Sequence, residues 1–279
     1  MALVIDEPRV INCWYFLLWL ATDDGSRYHF TINPCMRGNA TMARIYAMDN
    51  LKNLTSTASS PHLNLTSPMG SDNFGDLRLA AKWKGVETDM RLTPTGKNLF
   101  IGGSGGFTLP SYGGDDYRTL IPGYTWYWGN PTMAVDGFIT IDGKTSQIDT
   151  QNSFGYFERQ WGDFNLTAGY IAVWAYLPNG DLLHTWVVEP DVNGHGSQAI
   201  STVWHPDGRH EVLAVDFTRG SDIWVSKETG NNYFTEFEVG SSTAHSRLRM
   251  RQYSQATEVL PENDQGPIIS EAYGEGEGT

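Results

Sequence analysis

The sequence predicts an all-β protein, an antiparallel β-barrel or sandwich built from about a dozen short strands. Short alternating or aromatic runs recur along the chain, for example at residues 76–83, 170–177 and 182–188. Turn sequences separate these runs, such as Asp24-Gly25 and Pro206-Asp207-Gly208. No long stretch carries the apolar spacing of an amphipathic helix. Each run is therefore expected to form a strand that ends at the turn after it.

The apolar run at residues 11–21 is predicted to be the first strand of a hairpin. It leads through the Asp24-Gly25 turn into the alternating residues 28–32. A run of this length is too short to span a bilayer, which requires about 20 residues, so we expect no membrane insertion. Cys13 and Cys35, the two cysteines of the chain, would lie on adjacent strands within about one residue of being opposite. A disulfide and two buried thiols both fit this placement.

The middle and the end of the chain are predicted from their composition. Residues 50–72 are rich in Ser, Thr, Asn and Pro, which predicts a long loop. A midpoint near residues 145–153 divides the chain into an N-terminal β half, 1–149, and a C-terminal β half, 150–279. We expect the halves to pack as one unit around a hydrophobic cavity. Residues 267–273 predict a last strand, and part of the Gly- and Glu-rich tail beyond them is expected to fray.

Charge and motif content argue against several classes of function. The formal net charge is −13, and stripes of Lys and Arg that could bind nucleic acid or an anionic membrane surface are lacking. The glycine-rich residues 102–106 are followed by no Lys-Ser/Thr pair and predict a turn rather than a phosphate loop. The spacing of the histidines and acidic residues fits no common metal site. We therefore expect no nucleic-acid partner, no cofactor and no metal.

Aromatic residues make up 13% of the chain, including ten tryptophans, while only 18% of residues are charged, against about 25% in average globular chains. This composition fits either a core of large side chains or an aromatic pocket for a small hydrophobic substrate. Four Asn-X-Ser/Thr sequons begin at Asn39, Asn53, Asn64 and Asn165. Together with a Cys13–Cys35 bridge they would favour a soluble protein on a secretory route.

Residues 154–164 carry an unusual strand pattern. An extended backbone places Tyr156, Glu158 and Gln160 on one face. Phe157, Arg159 and Trp161 then lie on the other face. Each face carries a large aromatic ring and a polar group, whereas the outer face of a surface hairpin should be uniformly polar. The pattern predicts a strand between a cavity and a second packing layer.

Three motifs in order resemble the lipocalin-like family named after hydroxyneurosporene synthase, which includes kievitone-type hydratases and fungal decalin-forming Diels–Alderases. They are Trp-Tyr-…-Pro at 126–131, Gly-x-x-x-x-Asp-Gly-Lys at 137–144 and Gly-Tyr-x-Glu-x-x-Trp-Gly at 155–162. The first hairpin and the strands of Trp174 and Trp186 are also similar to the family pattern. The family's hydratases show an acidic residue at the position of Glu158, often after a histidine; here Phe157 precedes it, which weakens a direct transfer of hydration chemistry.

The resemblance implies a lipocalin-like fold and a cofactor-independent pericyclase of fungal secondary metabolism. The length resembles that of the fungal hetero-Diels–Alderases of tropolone sesquiterpenoid pathways. The expected reaction is a (hetero-)Diels–Alder cycloaddition of an apolar terpenoid or polyketide substrate, with dehydration to a quinone methide as a preceding step in one version. The alternatives are a hydratase or dehydratase of an isoprenoid or phenolic substrate and a non-catalytic, lipocalin-type carrier. An enzyme predicts a polar donor–acid pair inside the cavity, whereas a carrier predicts polar groups only at the cavity mouth.

The candidate site residues follow from this chemistry. Arg159, Tyr156, Tyr127 and His184 are candidate hydrogen-bond donors to a carbonyl oxygen. Glu158 or His184 could act as general acid or base. The expected substrate-binding residues are Tyr127, Trp126, Trp161, Trp174, Trp186 and Phe157. The alternatives are an ion pair between Glu158 and Arg159, core positions for the tryptophans and a structural buried imidazole at His184.

Overall fold

The computed structural model describes residues 11–33, 42–47, 54–58, 62–66, 75–83, 85–103, 105–107, 124–163, 170–188, 198–241, 243–253, 257–260 and 268–279. These ranges form 24 strands and a short 3-10 turn, Ile101–Gly103, and every described strand pair is antiparallel. The predicted all-β antiparallel fold class is confirmed. The predicted turns at Asp24-Gly25 and in the glycine-rich segment are also present.

Twelve strands from the first part of the chain form one large sheet. They are β1 (Ile11–Ala21), β2 (Arg27–Asn33), β3 (Met42–Ala47), β4 (Leu54–Ala58), β5 (His62–Thr66), β6 (Leu77–Trp83), β7 (Val86–Pro94), β8 (Leu99–Phe100), β9 (Gly106–Phe107), β10 (Tyr124–Ile141), β11 (Lys144–Gln147) and β12 (Phe154–Asp163). The order across the sheet is β4-β3-β2-β1-β12-β10-β7-β6-β5, with β8, β9 and β11 paired to β10. Although β12 is the last of these twelve strands along the chain, it lies at the centre of the sheet between β1 and β10.

The large sheet curls around its own hydrophobic core. β2 and β6 are five strand spacings apart in the sheet order, which would be about 24 Å in a flat sheet. Nevertheless, the rings of Phe30 on β2 and Trp83 on β6 are only 5.5 Å apart. Fully buried residues such as Phe16, Leu79 and Val135 fill the space inside the curl. The inside of the curl is therefore a packed core, and the expectation that the two halves pack around a hydrophobic cavity stays a prediction.

The remaining strands form smaller sheets. They are β13 (Tyr170–Tyr176), β14 (Leu182–Val188), β15 (Gln198–Trp204), β16 (His210–Ala214), β17 (Asp216–Arg219), β18 (Ile223–Val225), β19 (Asn232–Phe234), β20 (Glu236–Ser241), β21 (Ser246–Gln252), β22 (Glu258–Val259), β23 (Ile269–Ser270) and β24 (Gly274–Gly278). The second sheet has the order β13-β14-β15-β16 and the third the order β17-β20-β21-β24, while β18-β19 and β22-β23 are two-stranded. A second core cluster joins Tyr15 and Tyr156 of the large sheet to Leu182 and Trp204 of the second. The second sheet therefore packs on the outer face of the large sheet.

Several boundaries differ from those predicted. Residues 50–72, expected to form a loop, contain β4 and β5, whose threonines and leucines suit an extended backbone paired to a neighbouring strand. Part of the tail was expected to fray, but Gly274–Gly278 forms β24 and pairs with β21. The division at 149/150 stays a prediction, although the ladder of the first sheet continues beyond it through β12. Cys13 is disulfide-bonded; Cys35 lies outside the described residues, as do the predicted sequons at Asn39, Asn53 and Asn165.

Candidate active site

The candidate site lies in a cleft between the outer face of the large sheet and the later strands. Residues of β1, β12, β13 and the C-terminal segment, defined as residues 268–279, line it. Apolar residues of the third sheet, such as Phe237 and Met250, also contribute. The cleft has a volume of 1980 Å³, whereas small-molecule sites usually measure about 300–1,000 Å³. One small substrate would therefore occupy only part of it.

Strand alternation decides which side chains of β1 reach the cleft. Tyr15, Leu17 and Trp19 line it, while the intervening Phe16 and Leu18 are fully buried in the core inside the curl. Trp19 stacks on Phe154 with 4.6 Å between the ring centroids. One strand thus supplies both the core of the large sheet and an aromatic part of the cleft wall.

β12 divides its side chains in the same way. Glu158 and Gln160 line the cleft. Phe157 and Trp161 belong to the core inside the curl, and the Arg159 guanidinium lies over the rings of that core. The two faces of β12 are therefore separated as predicted. The face of Glu158 borders the cleft, and the face of Phe157 borders the packed core.

Glu158 is a buried carboxyl group in the cleft wall. The residue is only 3% exposed, and its neighbours across the sheet are Tyr15 and Gly129. The indole N–H of Trp174 donates a hydrogen bond to Glu158 Oε2 at 2.9 Å. Burial raises the pKa of Glu158 well above its usual range; the Trp174 N–H opposes this shift and the charge of Glu271 adds to it. The site thus favours the protonated, neutral form of Glu158.

Tyr15 connects this acid to a second carboxylate, that of Glu271. The Tyr15 hydroxyl donates to Glu271 Oε2 at 2.5 Å, and its ring stacks on Trp174 with 5.3 Å between the centroids. Burial and the charge of Glu271 raise the pKa of Tyr15 well above its usual value, so the phenol keeps its proton. The stacked Tyr15 and Trp174 rings therefore connect Glu158, which Trp174 contacts, with Glu271, which Tyr15 contacts.

Six of the predicted site residues lie at or directly behind this cleft. Glu158, Trp174 and Tyr127 line it, whereas Tyr156, His184 and Trp186 are at most 1% exposed. The ring of His184 contacts those of Tyr127 and Trp174 edge-on, each at 5.3 Å. Tyr156 packs against Trp174, whose N–H is already donated to Glu158. These three buried residues support the cleft wall from behind.

The other four predicted residues lie away from the cleft. Phe157 and Trp161 pack inside the curl, because they occupy the alternate positions of β12. Trp126 is 44% exposed and stacks on Trp161 at 6.3 Å. Arg159 is fully buried on the core side. None of these four residues lines this cleft, and their roles in binding or catalysis stay predictions.

Arg159 has structural contacts, but the alternative prediction of an ion pair with Glu158 is wrong. Its guanidinium donates to the carbonyl oxygens of Cys13 at 3.0 Å and Gln160 at 2.6 Å, and to Asn12 Oδ1. It also lies 4.2 Å from the centroid of the Trp14 ring. Burial lowers the pKa of Arg159 to about 9, which still leaves it charged at neutral pH. Adjacent residues of a strand point to opposite faces, so Glu158 and Arg159 cannot pair across it.

Sequence reasoning missed two residues of the site, Tyr15 and Glu271. For Tyr15 a signal existed, because alternation along β1 and β12 makes it a cross-strand neighbour of Glu158 once those strands are paired. For Glu271 we find no local signal. It is an acidic residue within the predicted last strand, residues 267–273, and lies 256 positions from Tyr15.

Buried histidines predict that the free energy of unfolding falls between about pH 6 and about pH 4. Burial lowers the pKa of His184 and of His29 to about 3, below the value of about 6.5 for an unfolded histidine. In that range the unfolded chain binds more protons than the folded protein. Each histidine should therefore remove up to about 1.4 kcal/mol of stability per pH unit on acidification. Urea unfolding at a series of pH values measures this slope.

The variant His184→Leu tests the assignment, since both proteins share all other titrating groups. Neither ring nitrogen of His184 has a hydrogen-bond partner among the described residues, so an apolar side chain of similar volume should cost little stability at neutral pH. The pH slope should fall by the contribution of one histidine. An unchanged slope would show that His184 is not the buried, neutral group described here.

Removing the indole N–H is expected to raise the pKa of Glu158 further. In Trp174→Phe the donor to Glu158 Oε2 is lost, and a hydrogen bond to a charged group is worth about 1.5–3 kcal/mol, or roughly one to two pKa units. Titration of ¹³C-labelled glutamate carboxyls by NMR measures the shift, with Glu158→Gln assigning the signal. Trp186→Phe, which truncates a buried tryptophan on the neighbouring strand, should leave the titration unchanged. Equal midpoints in Trp174→Phe and the wild type would contradict this role for the hydrogen bond.

The described residues offer no group of three or more His, Cys, Asp or Glu side chains that could hold a metal ion. Within the same ranges, no helix is long and apolar enough to cross a membrane.

No family model matches the chain. Among curated proteins it is 25% identical over 150 residues to kievitone hydratase of Fusarium solani subsp. phaseoli. It is also 24% identical over 159 residues to dehydratase asqC of Emericella nidulans. These matches cover 53% and 51% of this chain. They cover only 39% and 42% of the two relatives, so the chain matches less than half the length of each.

Two solved structures are similar in fold. The crystal structure of kievitone hydratase from Nectria haematococca has a TM-score of 0.72 at 17% identity and is matched over 95% of this chain and 88% of that one. A protein from Nitrosomonas europaea described as AttH has a TM-score of 0.76 at 16% identity, over 99% of this chain and 90% of that one. With the antiparallel sheets and the curled large sheet described above, these likenesses confirm the predicted lipocalin-like β fold.

Proposed function

We propose that this protein is a hydratase or dehydratase that adds or removes water at a carbon–carbon double bond of a small apolar molecule, an isoprenoid or phenolic compound. The observation that carries the proposal is the buried carboxyl of Glu158, which borders the cleft and whose neutral form is favoured. A neutral carboxylic acid in an apolar cleft is suited to general acid catalysis near neutral pH. The names of the two curated relatives, a hydratase and a dehydratase, support the same class of reaction.

In the dehydration direction Glu158 acts as the proton donor. Its carboxyl proton passes to the hydroxyl oxygen of the substrate, the C–O bond breaks and water leaves. A base removes a proton from the adjacent carbon, and the electron pair of that C–H bond forms the new double bond. Glu158 is then a carboxylate, which the N–H of Trp174 stabilises by a charge-assisted hydrogen bond. Hydration reverses each of these steps.

The apolar walls of the cleft would contribute by binding the substrate and limiting water around the reacting carbon. Leu17 and Trp19 line the same cleft as Glu158, and Trp174 contacts Glu158 directly. Orientation of the hydroxyl toward the acid accounts for part of the rate enhancement, and the proton transfer itself contributes about 10²–10⁴-fold.

The depth of Glu158 favours an enzyme over a carrier. A carrier needs polar groups only near the cavity mouth, whereas Glu158 is 3% exposed and hydrogen-bonded to a second wall residue. Burying an acid at this depth costs desolvation energy. Perturbed acids in a cleft are more frequent at catalytic sites than elsewhere.

Conversion of kievitone is the direct test, because the name of one relative makes it a reasonable probe. The purified protein is incubated with kievitone in ¹⁸O-labelled water, and the products are analysed by mass spectrometry. We expect the gain of one labelled water molecule, at a rate above that of heat-inactivated protein. Unlabelled product, or equal rates with and without native protein, would argue against hydration of this compound by the site.

A (hetero-)Diels–Alder cycloaddition is the second candidate, and the size of the cleft favours it. A volume of 1980 Å³ can accept a second reactant beside the first. Loss of water from a hydroxybenzyl precursor at Glu158 would generate a quinone methide next to that partner. The cycloaddition would then need only orientation of the two reactants. A product ratio that native protein leaves unchanged in a mixture of quinone methide precursor and alkene would argue against it.

A further inference from the structure

We propose that Glu271, on the C-terminal segment, is the second catalytic group of this cleft and that Tyr15 is its positioning residue. The inference rests on the proposed hydration or dehydration chemistry, which requires one group that gives a proton and another that takes one. Glu271 would take the proton from the carbon next to the leaving hydroxyl in dehydration, and from the attacking water in hydration. The proton that Glu158 gives up and the proton that Glu271 receives balance in each direction.

The first support is the position of Glu271. Its side chain lines the cleft together with Glu158, Tyr15 and Trp174. It is half-buried, in contrast to the fully buried Glu158. A carboxylate that keeps some contact with solvent can hold its negative charge, which a catalytic base needs, while the deeper group stays neutral.

The second support is the set of hydrogen bonds that hold Glu271 and its backbone in place. The Glu271 backbone N–H donates to the carbonyl of Thr257 at 3.1 Å, and the Tyr253 N–H donates to the carbonyl of Tyr273 at 2.9 Å. These bonds fix the backbone on both sides of the carboxylate. The Tyr15 hydroxyl, 2.5 Å away, then fixes the orientation of the carboxylate itself.

The third support is the electrostatic coupling between the two acids. The charge of Glu271 raises the pKa of Glu158 and of Tyr15. Burial raises the pKa of Tyr170 at the edge of the cleft, and the charges of Glu271 and Glu158 add to this shift. One charged and one neutral carboxyl is the stable combination for two such groups in a low-dielectric site. That combination is the one an acid–base pair requires.

The test compares Glu271→Gln, Tyr15→Phe and Glu158→Gln with kievitone as the substrate. Glutamine can still accept the Tyr15 hydrogen bond, so Glu271→Gln should fold normally, as judged by circular dichroism and thermal unfolding. We expect its kcat to fall about 10²-fold or more and the low-pH limb of the pH–rate profile to disappear. Tyr15→Phe should lower kcat less, leave KM nearly unchanged and shift that limb. Glu87→Gln, an exposed β7 residue paired with Lys82, is the matched control with wild-type rates.

The outcomes separate this inference from the proposed function. If Glu158→Gln is inactive and Glu271→Gln keeps the wild-type rate and profile, Glu271 is not catalytic and the proposed function stands. If both variants keep the wild-type rate, both proposals fail. If the wild type does not convert kievitone, ¹³C NMR titration tests the electrostatic coupling between Glu158 and Glu271. Glu271→Gln should then lower the titration midpoint of Glu158, and an unchanged midpoint would overturn the inference.

Discussion

Replacing Glu158 by glutamine is expected to reduce kcat by about 10²–10⁴-fold, the usual contribution of general acid catalysis. The amide of glutamine matches the size of the carboxyl group and can still accept the N–H of Trp174, which lies 2.9 Å from Glu158 Oε2. Its amide N–H groups are not acidic, so it cannot transfer a proton to a leaving hydroxyl group. KM should change little, because the apolar walls that bind the substrate remain. Steady-state kinetics and mass spectrometry of the products measure both constants.

Stability provides a second measurement on the same variant. Because burial raises the pKa of Glu158, the folded wild type binds more protons than the unfolded chain above about pH 4.3. The wild type therefore loses stability as pH rises through the folded pKa of Glu158, and Glu158→Gln should lack this loss. The control is Glu87→Gln, because Glu87 is an exposed residue of β7 that pairs with Lys82 and does not line the cleft. It should keep both its stability and its kcat, and equal losses of kcat in both variants would contradict a catalytic Glu158.

Replacing Arg159 by methionine is expected to lower the free energy of unfolding by about 3 kcal/mol or more, because each buried acceptor that loses its donor costs about 1–3 kcal/mol. The carbonyls of Cys13 and Gln160 and the side chain of Asn12 would each lose a donor. The contact of the guanidinium with the Trp14 ring would also be lost. Urea unfolding measures the change, and kcat per folded molecule should stay at the wild-type level because Arg159 lies on the core side of β12.

Arg91→Met is the matched control for this loss. Arg91 is a 65% exposed side chain paired with Asp76 on the surface of the large sheet, and exposed pairs contribute about 0–1 kcal/mol. A small change in stability together with a large loss of kcat in Arg159→Met would return Arg159 to the catalytic candidates. A large change in stability with a normal kcat would establish its structural role.

Much of the fold could be predicted because strand patterns are local. The alternation at residues 76–83 and the turn at Asp24-Gly25 each follow from a few neighbouring residues. The prediction was wrong for residues 50–72, where Ser, Thr and Asn suggested a loop and two strands are found. Strand propensity depends strongly on the neighbouring strand, so composition alone did not identify these strands. For β4 that neighbouring strand is β3, and for β5 it is β6.

The candidate site was predicted only in part, because motifs within single strands do not show which strands pair. Glu158 and Trp174 were selected from motifs within single strands, and both line the cleft. Arg159 and Trp161 were selected from the same motif, but alternation directs them into the core. Tyr15 needed the pairing of β1 with β12, and Glu271 needed the path of the whole chain.

By itself, the sequence determined most of the strands, the turns between them and the two faces of β12, since each depends on neighbouring residues and the two-residue period of an extended backbone. It did not determine β4 and β5. The tertiary structure decided which face borders a cavity. It also decided that the large sheet curls over a packed core, so the cleft lies outside it against the second sheet. It brought Glu271 to Tyr15 across 256 positions. Such contacts depend on how sheets pack, and no local pattern of residues specifies that packing.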